Sequence, residues 1–168
     1  TTTPPTTPPT TPPTTPPTTP PTTPTVPANG NLAQGRPASD TGHTQSYVAA
    51  NTVDGNANTY WESTNSAFPQ SLTVDLGAAK TVGRLVLKLP PATSWATRTQ
   101  TLSVLGSTDN STWTTLKASA GYTFNPSSGN AVTITLTPAA STRYLRLTFT
   151  ANTGWPAAQL SELEAYAS

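Results

Sequence analysis

The chain has 168 residues, a formal net charge of +1, 19 prolines and no cysteine. It has no basic run, so the electrostatic footprint of a nucleic-acid binder is missing. No apolar stretch approaches the ~20 residues needed to span a bilayer, and disulfides and thiolate metal sites are excluded.

Taken from the start, Thr1 to about Pro27 is almost wholly Thr and Pro, with Thr-Thr-Pro-Pro repeating from Thr2 to Thr23. Such a segment has too little apolar surface to offset its ordering entropy, so a disordered linker is expected over residues 1–28. Each Pro fixes its own φ and pushes the preceding residue toward extended geometry. The expected state is a semi-rigid polyproline-II spacer with a reach on the order of 80 Å. Thr/Pro stalks are typical of secreted proteins, so an extracellular location is expected. The chain starts inside this repeat and reads as a fragment of a longer protein.

All charged and aromatic residues lie between Arg36 and Tyr166. Residues 29–168, about 140 in number, are the size of one domain. Period-two alternation dominates it. Leu72, Val74 and Leu76 form one apolar row, followed by Leu85, Leu87 and Leu89, and then by Leu102 and Val104. Val132, Ile134 and Leu136 form another, and Leu145, Leu147 and Phe149 the last. Each predicts a strand with one buried face. Asp54-Gly55, Leu76-Gly77, Pro90-Pro91, Asp109-Asn110, Ser128-Gly129-Asn130 and Thr137-Pro138 are turn signals between them. Only Val48–Thr52 suggests a short helical turn. The expected fold is all-β, an antiparallel sandwich of jelly-roll form.

An ordered set of motifs runs along this domain. Asn31-Leu32-Ala33 opens it, then Val53-Asp54-Gly55-Asn56 with Thr59-Tyr60-Trp61, then Gln70 to Gly77. Ser107-Thr108-Asp109 with Ser111-Thr112-Trp113 follows, then Arg143 to Leu147, and Glu162-Leu163-Glu164 closes it. The set resembles the discoidin, or coagulation factor V/VIII type C, domain, and within it the family 32-like carbohydrate-binding modules, which are galactose-binding-domain-like in fold. The Thr-Pro repeat is similar to linkers in bacterial α-1,3-glucanases and related multimodular glycanases.

The resemblance implies structural calcium. Asp54-Gly55-Asn56 is by itself a tight turn rich in oxygen donors, which hard Ca²⁺ prefers, although a plain turn explains it equally well. The resemblance adds a closing carboxylate, Glu162, with the carbonyl of Ser161. It also implies the carbonyls of Asn51, Asn56 and Thr59, the Thr59 hydroxyl and the Asp54 carboxylate as ligands.

A saccharide site needs an exposed aromatic ring beside charged or amide groups. In domains of this kind it sits on loops at one end of the sandwich. The candidates are His43 in a small polar loop, Glu62 after a core Trp61, Trp95 with Arg98 in the loop opened by Pro90-Pro91, and Trp155 after Gly154. Each has a plainer reading: an incidental histidine, a solvated edge charge, or an indole plugged under its loop. Galactose binders of the family combine His, Arg and Asn with an aromatic. Asn65 and Asn152 compete for the Asn role, which favours a glucan.

The expected function is a non-catalytic carbohydrate-binding module that targets a secreted polysaccharide hydrolase to an α-glucan such as α-1,3-glucan. Galactose, β-glucan and cell-surface or lipid adhesion are the alternatives. A glycosidase needs paired carboxylates across a cleft. Of the seven acids, Asp54 and Glu162 go to calcium, Asp75 and Asp109 to structural motifs, and Glu62 has no evident partner. The expected partners are a polysaccharide or oligosaccharide and a covalently linked catalytic domain. No nucleic acid or membrane partner is expected, and the module is expected to be a monomer.

Overall fold

The computed structural model describes residues 29–168; the linker expectations fall outside them. The domain is all-β, as its alternation predicts. Eight strands form it: β1 (Ala38–Asp40), β2 (Trp61–Glu62), β3 (Gln70–Lys88), β4 (Arg98–Ser107), β5 (Thr114–Phe124), β6 (Ala131–Asn152), β7 (Gln159–Leu160) and β8 (Glu162–Tyr166). A 3-10 turn over Ala49–Thr52 occupies the stretch where a short helical turn is expected. Among the described residues no helix is long and apolar enough to cross a membrane.

All pairings are antiparallel, and β3 and β6 run through both layers of the sandwich. The first half of β3 pairs with β1 and with the second half of β6, Leu72 facing Leu147. The second half of β3 pairs with β8 and with the first half of β6, Leu87 facing Leu163 and Val132. β4 and then β5 extend the first layer. Leu76-Gly77 and Thr137-Pro138 are therefore not loops between separate strands. They lie at corners where one long strand passes between layers. Gly77 has φ +85, and the β3–β6 register shifts between Asp75 and Lys80. Pro138 lacks an N–H and is exposed at such a corner, where no ladder bond is required of it.

The apolar rows meet between the layers. Leu72, Val74, Leu85, Leu87, Leu102, Val104, Leu145, Leu147 and Phe149 are fully buried. Trp61 is buried with them, its ring centroid 5.7 Å from that of Phe149 and its indole N–H donating to the Gly42 carbonyl at 3.3 Å. Burial of this kind stabilises by roughly 25 cal/mol per Å² of apolar surface.

Two edges close on this frame. The Leu32 N–H donates to the Ala165 carbonyl at 2.8 Å, and the Asn31 side chain accepts from Ala165 N–H at 3.0 Å, so the start of the domain is tied to β8. At one end the short ribbon of β2 and β7 sets Glu62 directly across from Gln159. That ribbon carries the candidate site.

Candidate functional site

Glu62, Trp95, Arg98 and Trp155 converge on one open pocket of about 200 Å³, together with Tyr60, Ser94 and Gln159. Four segments build it. Arg98 opens β4, and Glu62 and Gln159 face each other across the β2–β7 ribbon. Trp95 is held by a turn in which its N–H donates to Ala92 O at 3.0 Å. The buried Asn130 amide clips this loop from beneath, donating to Pro90 O at 3.0 Å and to Trp95 O at 3.1 Å. The Trp155 loop is fixed by Asn152, whose side-chain oxygen accepts from Gly154 N–H at 2.9 Å. A Cβ at Gly154 would sit 2.8 Å from the Cβ of Arg98, so the loop lies directly on the arginine stem.

The polar interior forms a chain. Arg98 donates from Nη1 to Gln159 Oε1 at 2.6 Å and from Nε to Ala96 O at 3.0 Å. Gln159 Nε2 donates to Glu62 Oε2 at 3.1 Å, and Trp155 Nε1 donates to Glu62 Oε1 at 3.1 Å. Gln100 grips the Gln159 backbone on both sides, at 2.9 Å to its N–H and 2.8 Å to its carbonyl. Glu62 is 6% and Arg98 9% exposed, while Trp155 is 46% exposed. The guanidinium also lies 5.0 Å from the Trp95 ring. Burial lowers its pKa from the ordinary arginine value. Tyr60 packs edge-on to Trp95 at 4.7 Å and stacks on Tyr47 at 4.6 Å. Burial first, and then the Tyr47 hydroxyl, push the Tyr60 phenol up to about 12.

Several sequence expectations change here. His43 does not reach the pocket. Its ring stands 3.0 Å from Asp40 Oδ1, its side chain 41% exposed, and the other Asp40 oxygen holds Ala49 N–H at 3.0 Å. Glu62 is no free edge acceptor: both its oxygens already accept hydrogen bonds inside the site. Trp95 is half-buried, packed on the core from above, so Trp155 is the more open indole. Asn152 does not line the pocket: its oxygen serves its own loop, and its amide nitrogen donates to Ala157 O at 2.9 Å and, beneath the pocket, to Gln159 Oε1 at 3.3 Å. Tyr60 and Gln159 were not singled out by sequence. Nothing local to Ala157-Ala158-Gln159-Leu160 marks the second as a pocket residue.

Asp54, Asn56, Thr59 and Glu162, four of the expected cation ligands, come together at another place. Asp54 Oδ1 accepts from Asn56 N–H at 2.8 Å, and the Thr59 hydroxyl lies 2.6 Å from Asp54 Oδ2 and 2.9 Å from the Asn56 carbonyl. The Asn51 side chain is turned to the Tyr60 carbonyl at 2.9 Å. Glu162 is buried at the start of β8, and its Oε1 has no hydrogen-bond partner. The neighbouring Ser161 hydroxyl is also unpartnered. Burial, and then the nearby Asp54 carboxylate, push the Glu162 carboxyl up to about 8. No group of three His, Cys, Asp or Glu side chains forms among the described residues. The donor set is thus two carboxylates supplemented by carbonyls and a hydroxyl. A buried, unsatisfied carboxylate beside a second one is what a hard, oxygen-seeking cation relieves.

Residues 37–163 match the model of the F5/8 type C domain. Among solved structures, chitosan-binding module 1 of a chitosanase/glucanase from Paenibacillus sp. IK-5 is 28% identical at a TM-score of 0.64, covering 81% of this chain and 98% of that one. Chitosan-binding module 2 of the same enzyme, in complex with chitotriose, is 26% identical at 0.64, covering 81% and 99%. The family 32 CBM of C. perfringens NanJ, in complex with galactose, superposes at 0.68 with 22% identity, covering 81% and 97%, a likeness of fold alone. No curated protein matches the chain.

Proposed function

The chain belongs to the F5/8 type C domain family, and from that premise we propose that residues 29–168 are a non-catalytic carbohydrate-binding module whose saccharide seat is the pocket of Trp95, Arg98, Glu62 and Trp155. One observation carries the reading. Trp155 offers an open indole face while its N–H is anchored to a buried carboxylate. An aromatic ring held in one orientation stacks on the C–H face of a sugar at little entropic cost. The pocket lining has one carboxylate, Glu62, so it lacks the pair that glycoside hydrolysis uses. The module is read as the tethered accessory of a secreted polysaccharide hydrolase. The Thr-Pro repeat and the membership of the chitosan-binding relatives in a chitosanase/glucanase support that assignment. An α-1,3-glucan is the specific glycan that the linker resemblance favours.

Calcium is part of the same proposal. Asp54 and Glu162, the Thr59 hydroxyl and the carbonyls of Asn51, Asn56, Thr59 and Ser161 would hold it. The ion would supply positive charge between two carboxylates and tie a loop to β8.

Such shallow sites bind with roughly −4 to −8 kcal/mol, from ~1 mM to ~1 μM. Trp155→Ala should weaken retention on the bound polysaccharide by roughly 30-fold, the ~2 kcal/mol of an aromatic anchor. Its melting temperature should fall by only a few degrees, because Glu62 Oε1 loses its indole donor but is opened to water. Arg98→Ala should also weaken retention. Affinity electrophoresis against a polysaccharide panel checks both, and unchanged mobility in the two variants rules this seat out.

A further inference from the structure

Arg98 and Glu62 line one pocket, both almost completely buried, and do not pair. The ion pairs among the described residues are His43–Asp40, Lys88–Glu164 and Arg143–Asp75. A direct Arg–carboxylate fork is the usual way to satisfy such groups. Here the Gln159 amide stands between them instead, taking Arg98 on its oxygen and Glu62 on its nitrogen. The spacer is held at both levels: Gln100 clips its backbone N–H and carbonyl on the ribbon, and its side-chain oxygen also accepts from Asn152 Nδ2 at 3.3 Å. Arg98 spends two of its five N–H donors on Ala96 and Gln159. Glu62 spends one lone pair of each oxygen on Trp155 and Gln159. What remains is a donor-rich wall and an acceptor-rich wall with no net charge between them.

We propose that this held-apart pair makes the pocket selective for an uncharged saccharide. The inference rests on the pocket being the saccharide seat. Arg98 donates to a ring or hydroxyl oxygen, Glu62 accepts from a neighbouring hydroxyl, and Trp155 covers the adjacent C–H face. A glucosamine ammonium drawn to Glu62 also meets Arg98, and a uronate carboxylate drawn to Arg98 also meets Glu62. Attraction and repulsion offset one another within a single small pocket. The cost of removing the ligand's charge from water is then left uncompensated. A sugar hydroxyl carries no such cost. The chain thereby differs in ligand chemistry from the chitosan-binding relatives that share about a quarter of its sequence.

The test is affinity electrophoresis of the full chain against α-1,3-glucan and other neutral glucans and galactans, against chitosan, and against polygalacturonate and alginate, at low and high salt. The expected result is retention by a neutral polymer, insensitive to salt, and at least roughly tenfold stronger than by either charged class. Each variant should gain a function. Glu62→Gln leaves the guanidinium unopposed and should add salt-sensitive retention on the uronate polymers. Arg98→Gln leaves the carboxylate unopposed and should add retention on chitosan. A parent chain that prefers chitosan or a uronate polymer overturns the inference while leaving saccharide binding intact, as do folded variants whose preference does not move. A parent chain retained by no polysaccharide overturns the underlying reading instead. Should a variant fail to fold, the ranking by the parent chain decides alone.

Discussion

Asn130 does not line the pocket, yet it holds the backbone from which Trp95 projects into it. It is fully buried with a left-handed backbone, φ 52, and its amide nitrogen bridges two carbonyls of the Trp95 loop. Asn130→Ala removes both donors and leaves those carbonyls short of partners, a cost of about 1–3 kcal/mol. Thermal melting should therefore drop by several degrees, and saccharide retention should weaken as the Trp95 loop loosens. An unchanged melting curve would show that the clip contributes nothing. At this scale the sequence distinguished indoles by context. Trp61, in the Thr59-Tyr60-Trp61 motif of the family resemblance, lies in the core, whereas Trp95 and Trp155 follow Pro and Gly turn signals and lie at the pocket. It could not reveal Gln159, whose meaning depends on a partner 97 residues away. Nor could it place His43, since a polar loop does not disclose which way it folds.

Among the elements, β8 begins at the expected calcium site. Its first residue, Glu162, is a buried carboxylate with an unpartnered oxygen facing the Asp54 loop. A calcium ion that binds only the folded state stabilises it by about 2.7 kcal/mol at a hundredfold excess over its Kd. Differential scanning calorimetry should show the transition rise with added calcium and fall with a strong chelator, and Glu162→Gln should abolish the response. Indifference to the chelator in the parent chain excludes the site. Strands with one buried face were readable from alternation, because only they have a face to alternate. β5 was missed although Leu116, Ala118, Ala120, Tyr122 and Phe124 alternate along it. It is an edge strand paired only to β4, mostly exposed, and two alanines weaken its apolar row, of which only Phe124 is fully buried. The corners of β3 and β6 were misread as loops for a related reason. Gly and Pro mark a break in local geometry, but whether the chain reverses there or bends onward is set by tertiary pairing.

For the molecule as a whole, acid is the informative stress. Arg143 forks onto Asp75 with two hydrogen bonds of 2.9 Å, joining β6 to β3 near their corners. This holds the Asp75 carboxyl below its usual value of 3.8. Asp109 is held down to about 2 by the backbone N–H groups of Thr112 and Ser111. Both carboxyls are more acidic folded than unfolded. Their contribution is therefore complete above the unfolded value and lost as pH falls from near 3.8 toward about 2. Circular dichroism should show an acid transition in that window, and Arg143→Gln should move it to higher pH. An Arg143→Gln curve that overlays the parent curve means the fork adds nothing to acid resistance.

β3 and β6 each supply rungs to both faces of the sandwich, so neither face is a unit that the chain can own separately. A protease cut at either corner, or a gene spliced there, would release half-sheets that each lack their partners. Exchange of sequence without loss of the sheets is thereby left to the loops at its ends, and two of those carry Trp95 and Trp155.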